Sequence, residues 1–424
     1  MYLSTLGLRR EISQAKSKRA GAAAVGGNVF ALGMVSLLTD VSAEMVTAVL
    51  PLYFVITLQM TPAAYGVMDG LYTGASAVLR MVGGYVADRA GRHKAVAGAG
   101  YGISAAAKLG MLAAGSSAGA IGAVLVADRT GKGLRSAPRD ALITLSTPEH
   151  ALGRAFGVHR AMDSAGAFAG PLVALAVLGV IGAATPEAFD ALFMVSFCVA
   201  VTGVMVLALF VRDHPGSAST KEAVSVRRSV GLLKEGAVRR VLTAACLLGL
   251  VTVGDGFVYL LLMRNQGFGT AWFPMCAIAT NLAFLLLAGP LGVVADRWGR
   301  TPVFLGGYAA LALVYLLLLS NWAGTAAAVL TLALYGMFYA ATDGVLMALA
   351  GPVLPQPLRA TGLALVQTGQ ALAYVVSSVG FGVAWQYGTT ATALWLATGA
   401  VVLSAGATAV LLLRTAPRTE ESAR

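Results

Sequence analysis

Gly84-Tyr85-Val86-Ala87-Asp88-Arg89-Ala90-Gly91-Arg92, near the end of the second apolar stretch, returns as Gly292-Val293-Val294-Ala295-Asp296-Arg297-Trp298-Gly299-Arg300 near the end of the eighth. A charged, glycine-bearing hairpin at matched places in two halves of an apolar chain implies a duplicated bundle, and duplicated bundles are the architecture of carriers that alternate access. A second pair, Arg154-Ala155-Phe156-Gly157 and Arg359-Ala360-Thr361-Gly362, repeats at nearly the same offset at the starts of the fifth and eleventh stretches.

The composition agrees. Hydrophobic residues make up 58% of the chain and mean hydropathy is +0.77, against about 45–50% apolar residues in a soluble domain. A net charge of +11 would suggest a nucleic-acid partner in a soluble protein. Here the cations collect in alternate loops, so the charge reads as membrane topology and no nucleic acid is expected. Arg9, Arg10, Lys16, Lys18 and Arg19 precede the first apolar stretch without a small-residue cleavage site after it, which is not the pattern of a secretory signal. Cys198, Cys246 and Cys276 stand singly, with no CxxC spacing and no companion histidines. No metal, cofactor or disulfide framework is expected. With no phosphate-binding loop either, an enzyme is not expected.

About 20 apolar residues cross a bilayer, and on that ruler the chain divides into twelve spans. Those of the first half are 28–56, 64–87, 93–114, 118–144, 152–180 and 187–211; those of the second are 241–263, 270–294, 302–320, 325–350, 358–384 and 391–413. The expected organisation is an N-terminal segment (1–27), a six-helix bundle (28–211), a linker (212–240), a second six-helix bundle (241–413) and a tail (414–424). The turns after spans 1, 3, 5, 9 and 11 hold no Lys or Arg, and the turn after span 7 holds only Arg264. The other side carries nearly all the loop cations, which places both termini and the linker in the cytoplasm and the protein in the cell membrane.

Ionisable groups inside a bilayer cost about 2.5–3.5 kcal/mol each, so each is a candidate for function. In span 1, Asp40 and Glu44 are four residues apart and within about 40° on the helical wheel. Two carboxyls so placed do not readily ionise together, which suits a proton-carrying site. Span 4 reads Leu125-Val126-Ala127-Asp128-Arg129-Thr130-Gly131-Lys132-Gly133-Leu134-Arg135-Ser136-Ala137-Pro138-Arg139-Asp140. Its charged residues fall within an arc of about 140°, so this helix lines the bundle interior or a wet cavity, where Lys132 and Arg135 are candidates to meet a substrate. Asp69 and Arg80 share a face of span 2, and Asp163, Asp255 and Asp343 lie in spans 5, 7 and 10. These are further cavity candidates. Lys108 of span 3 is expected to pair or to snorkel, and His159, one turn before Asp163, to relay protons or to sit at an interface. Tyr335, Phe338 and Tyr339 of span 10 would suit an apolar or amphipathic ligand, or simply pack.

The paired hairpins, the two six-span halves and the central linker resemble the major facilitator superfamily over essentially the whole chain. That resemblance implies an all-α membrane fold of two six-helix bundles related by a pseudo-two-fold axis. Leu125-x-x-x-Arg129-x-x-Lys132-Gly133 resembles the span-4 motif of proton-coupled members, whose arginine is associated with proton transfer, although Lys132 stands where Gln is usual. Gly157, Gly166, Gly170 and Pro171 of span 5 resemble the motif of drug:proton antiporters, with Ala174-Leu175 in place of its closing glycine pair. In relatives the hairpin acid meets the N-terminal end of a neighbouring helix and holds the cytoplasmic side closed. By position Asp88 would serve span 11 near Thr361, and Asp296 would serve span 5 near Phe156. Arg89, Arg92, Arg297 and Arg300 would complete this latch, and Gly84, Gly91, Gly292 and Gly299 would shape it.

The resulting expectation is a monomeric, proton-coupled exporter of a small organic compound, with Asp40, Glu44 and Arg129 as coupling residues. An importer of an anionic solute or siderophore-like chelate, served by the cationic span 4, is the alternative. A non-transporting membrane sensor on the same scaffold is less favoured, because it gains nothing from buried charges.

Overall fold

The structure, a computed structural model, describes residues 26–90, 92–148, 151–182, 184–213, 231–320, 322–354 and 359–413, without the side chains of 78, 80–90, 153, 233, 344 and 359–361. Residues 1–25, most of the linker and the expected tail lie outside the described residues.

Span 1 is two helices, Gly27–Thr47 and Leu50–Ile56, and span 7 is likewise two, Gly236–Gly249 and Asp255–Gln266. The others are Pro62–Ala90 (span 2), His93–Ala114 (3), Ala118–Leu145 (4), Leu152–Ile181 (5), Pro186–Phe210 (6), Phe273–Trp298 (8), Arg300–Leu319 (9), Thr325–Ala350 (10), Arg359–Tyr387 (11) and Thr390–Leu413 (12). Among the described residues, eight spans are long and apolar enough to cross a membrane by length and composition alone. Spans 2, 3 and 4, which carry many small and charged residues, and the interrupted span 7 are the others.

The interruptions differ from the continuous stretches read in the sequence, because apolar residues run straight through both. In span 1 the second helix starts with Pro51 in its first turn, where a missing N–H costs nothing. In span 7 the chain leaves the helix after Gly249 and re-enters at Asp255, with Gly254 extended (φ −61°, ψ 146°). At the end of the linker Leu232–Lys234 forms one 3-10 turn, and the first helix of span 7 begins at Gly236. Gly299 explains one glycine of the second hairpin. It joins spans 8 and 9 at φ +101°, a conformation open to glycine and strained for other residues.

Within the first half, span 1 packs on spans 5 and 6, and span 4 packs between spans 2 and 3. Small residues make this possible. A Cβ on Gly166 would meet the backbone of Leu37, and one on Gly170 would meet Val41, Met45 and the Glu44 side chain, so span 5 lies directly on span 1. Gly131 of span 4 bears in the same way on Gly100 and Ser104 of span 3. The second half repeats the plan, with span 10 on spans 8 and 9 and Gly336 against the span-8 backbone at Thr280. The halves meet along two seams, span 2 on span 11 and span 5 on span 8, and where the second helices of spans 1 and 7 touch.

The face on which spans 1 and 7 begin is called the linker face. The opposite face is sealed. Gly66 and Gly382 let spans 2 and 11 touch backbone to backbone, against Ser378 and Pro62 respectively. Tyr65 and Phe257 stack edge to face at 4.5 Å between ring centroids, and Phe257 continues to Phe381 at 5.0 Å.

Candidate functional site

A cavity of about 320 Å³ lies between the halves, at the level where spans 1 and 7 are interrupted. First-half residues Glu44, Pro51, Tyr65, Asp69 and Tyr72 line it, facing Asp255, Tyr259, Asn281, Tyr339 and Tyr374 of the second half. Asp69 accepts hydrogen bonds from Tyr374 Oη (2.8 Å) and Ser378 Oγ (2.7 Å), both on span 11. The break in span 7 makes room for this group, since a Cβ on Gly254 would collide with the Asp69 carboxylate and the Tyr374 hydroxyl. Asp255 opens the second helix of span 7 and accepts from Tyr335 Oη (2.7 Å) and from Tyr339 Oη.

Beside the cavity, the charged arc of span 4 faces inward and meets partners from four other spans. Asp128 is buried and pairs with both Lys108 of span 3 and Arg129. The Arg129 guanidinium lies over the Tyr72 ring, 4.0 Å from its centroid. Lys132 reaches Glu44 at 3.9 Å, and Arg135 reaches Asp40 at 3.4 Å while covering the Tyr101 ring. Arg139 contacts Asp140 at 3.0 Å and Asp163 at 3.8 Å. Ser36 Oγ donates to Asp163 Oδ1 at 2.7 Å. Asp40 of span 1 and Asp163 of span 5 thus each face an arginine of span 4, Arg135 and Arg139 respectively. Asp40 and Glu44 therefore share a helix face, yet answer to different partners: Glu44 edges the cavity, and Asp40 points into the charge network. A void of about 10 Å³ among Tyr101, Lys108, Asp128 and Arg129, room for about one water, lies inside that network.

The remaining sequence candidates are not gathered at the cavity. Arg135 and Asp163 belong to the network, and Asp343 is exposed on span 10. Tyr335 and Phe338 are buried in the second-half core, and of that group Tyr339 reaches the cavity. His159 is buried with Nε2 unpartnered. Of the span-5 series, Gly166 and Gly170 mediate the close approach to span 1, Pro171 lines the cavity, and Gly157 faces open space. In the second hairpin, Asp296 and Arg297 are exposed, Gly292 meets nothing within 4 Å, and Arg300 Nη1 donates to the carbonyl of Ala348 at 2.6 Å. Arg92 is exposed. The side chains of Arg80, Asp88 and Arg89, together with Gly84 and Gly91, lie outside the description. Among the described residues no group of three His, Cys, Asp or Glu is placed to hold a metal ion.

The sequence matches the Major Facilitator Superfamily profile over residues 32–280 and 275–424. The chain belongs to that superfamily. It is a multi-pass membrane protein and a secondary transporter of the major facilitator type. An uncharacterized MFS-type transporter of Methanocaldococcus jannaschii is 29% identical over 382 residues, 87% of this chain and 91% of that protein. Among solved structures, the nucleoside transporter NupG superposes with a TM-score of 0.75 at 16% identity, covering 91% of this chain and 98% of its own. A POT family transporter bound to a thioalcohol-conjugated peptide gives 0.75 at 13% identity, covering 92% and 96%. At such identities these two share the fold, and the branch of drug:proton antiporters is a finer assignment than they carry.

Several site residues escaped the sequence reading, among them Tyr65, Tyr72, Tyr259 and Asn281 of the lining and the two partners of Asp69. Tyr374 and Ser378 are hydroxyls four residues apart on span 11, and so on one helix face. That spacing was a visible signal, but its meaning depends on which span lies opposite.

Proposed function

We propose that this facilitator exports a small organic compound across the cell membrane in exchange for protons, by alternating access, with the linker face in the cytoplasm. The carboxyl pair Asp40–Asp163 carries the reading. Ionisable groups inside a membrane span mark proton relays by default, and these two acids lie within the first-half bundle against the arginines of span 4. Arg135 and Arg139 flank the pair and would compensate its charge when a proton leaves. Glu44, one helical turn from Asp40, extends the same line to the cavity edge.

The direction rests on the span-5 motif, whose Gly166 and Gly170 press span 5 onto span 1 around Asp40 and Glu44. The orientation rests on the loop cations. The alternative, import of an anionic solute, needs cations free to meet it. Arg129, Lys132, Arg135 and Arg139 instead face Asp128, Glu44, Asp40, Asp140 and Asp163.

The test is transport in proteoliposomes under an imposed pH gradient, with a panel of cationic, neutral and anionic compounds. Accumulation that collapses with a protonophore supports the reading. Movement indifferent to the gradient would overturn it.

A further inference from the structure

Two sets of acids within the bundles differ in their partners. Asp40, Asp128, Asp140 and Asp163, away from the cavity, each have a basic partner. Asp69 and Asp255, which line it, form no ion pair among the described residues; their hydrogen bonds come from hydroxyls alone. Among the described residues no Lys or Arg lines the cavity. Glu44, the third carboxylate there, meets Lys132 only at 3.9 Å with both side chains partly exposed.

The walls between these acids are aromatic. Tyr65, Tyr72, Tyr259, Phe273, Tyr339 and Tyr374 surround the space, and ring faces attract cations, most strongly when both are out of water. Asn281 also lines the cavity and has no hydrogen-bond partner among the described residues. Two carboxyls without a counter-charge, aromatic walls, one free amide and about 320 Å³ of space match the dimensions and mixed lining of a small-molecule site. The missing component is a positive charge.

We propose that the cavity binds an organic cation with an apolar or aromatic body, with Asp69 and Asp255 as its counter-charges. This rests on reading the cavity as the site of the transported compound. A quaternary or protonated amine would lie between the two carboxylates, which face each other from spans 2 and 7 of opposite halves, and its apolar part would lie against the rings. Anions are disfavoured by three carboxylates. Neutral compounds of the same shape gain the aromatic contact without the charge.

The experiment is equilibrium binding to the purified full chain in detergent, without any gradient, measured calorimetrically. The probes are benzyltrimethylammonium, its uncharged carbon isostere neopentylbenzene, and phenylmethanesulfonate; none titrates near neutral pH. The cation should bind about tenfold or more tightly than the isostere, as expected for a desolvated charge contact, and the sulfonate should not bind. Asp69→Asn and Asp255→Asn should each weaken the cation about tenfold and leave the isostere unchanged, and Asp343→Asn should change neither. Because Asp69 also holds span 11, Asp255→Asn serves as the independent arm if Asp69→Asn proves unstable. Equal binding of cation and isostere, binding of the sulfonate, absence of cation binding, or full cation affinity in Asp255→Asn would overturn the proposal. Cation binding without proton-driven movement in vesicles would leave it standing and sink the exporter reading instead. Proton-driven movement of compounds of other charge, with no cation binding, would do the reverse.

Discussion

Tyr374 of span 11 donates a 2.8 Å hydrogen bond to Asp69 of span 2 across the boundary between the two halves, at the inner edge of the sealed face. The same carboxylate accepts from Ser378 at 2.7 Å, and the Gly66 carbonyl lies 3.1 Å from that hydroxyl as the other acceptor in reach of its single proton. A group that looks into the cavity therefore also holds the seal. In an alternating-access cycle spans 2 and 11 must part when this face opens, and these bonds must break with them.

Removing them should loosen the seal without harming the fold. Each such hydrogen bond is worth about 0.5–1.5 kcal/mol, so Tyr374→Phe with Ser378→Ala should shift the balance of states several-fold toward the form open at that face. The measurement is labelling of a single cysteine placed at Thr73, in a background lacking Cys198, Cys246 and Cys276, by an impermeant reagent added from the sealed side. An unchanged labelling rate would show that the glycine and aromatic contacts alone hold the seal.

Asp128 should matter chiefly for stability. It is buried between Lys108 and Arg129, and breaking a buried pair by removing one partner costs about 3–5 kcal/mol because a charge is left uncompensated. Asp128→Asn should lower the thermal unfolding midpoint markedly, and adding Lys108→Met should restore part of the loss. A single variant as stable as the parent would mean that water or Tyr72 already compensates the two cations.

How much of this arrangement the sequence disclosed follows from the range of the interactions. The repeated hairpin and the apolar stretches are local or periodic signals, and they lead to the twelve spans and the superfamily. The inward face of span 4 was legible for the same reason, since its wheel is internal to one helix. The partners on that face were not. Which acid meets Arg135, and that Asp40 and Glu44 answer to different cations, depends on glycine contacts between spans 1, 3, 4 and 5 that no wheel contains. The breaks in spans 1 and 7 were hidden too, because Val49 and Val251–Val253 continue the apolar pattern while the backbone leaves the helix. Asp343 shows the converse: its charge marked it as a candidate, yet it is exposed on span 10.

The carboxyl pair should govern coupling. With Asp40→Asn or Asp163→Asn one of the two protonatable groups is lost, and uphill transport driven by a pH gradient should fall to background. Substrate exchange at equal pH should persist, because neither residue lines the cavity. Loss of both activities together would assign the pair to folding or to ligand binding. Normal uphill transport in both variants would remove it from the mechanism.

Asp296 offers the last prediction, because here it is caught away from its expected role. The hairpin acid was expected to serve the start of span 5 near Phe156, but it is exposed, and a Cβ on Gly157 would meet only open space. In a structure sealed at the opposite face, a latch on the linker face has to be released, so the free carboxylate agrees with a latch that engages in the other state. A carboxylate at a helix N-terminus is worth about 0.3–1 kcal/mol, or up to about 2 kcal/mol when partly buried. Asp296→Asn should therefore leave this conformer's stability unchanged and depopulate the alternative by up to several-fold. Accessibility of single cysteines at the two mouths should shift toward the linker face, while the set of compounds that compete for binding stays the same. If the accessibility pattern does not move, or if the range of competing compounds changes instead, Asp296 is no latch and its cationic neighbours serve topology alone.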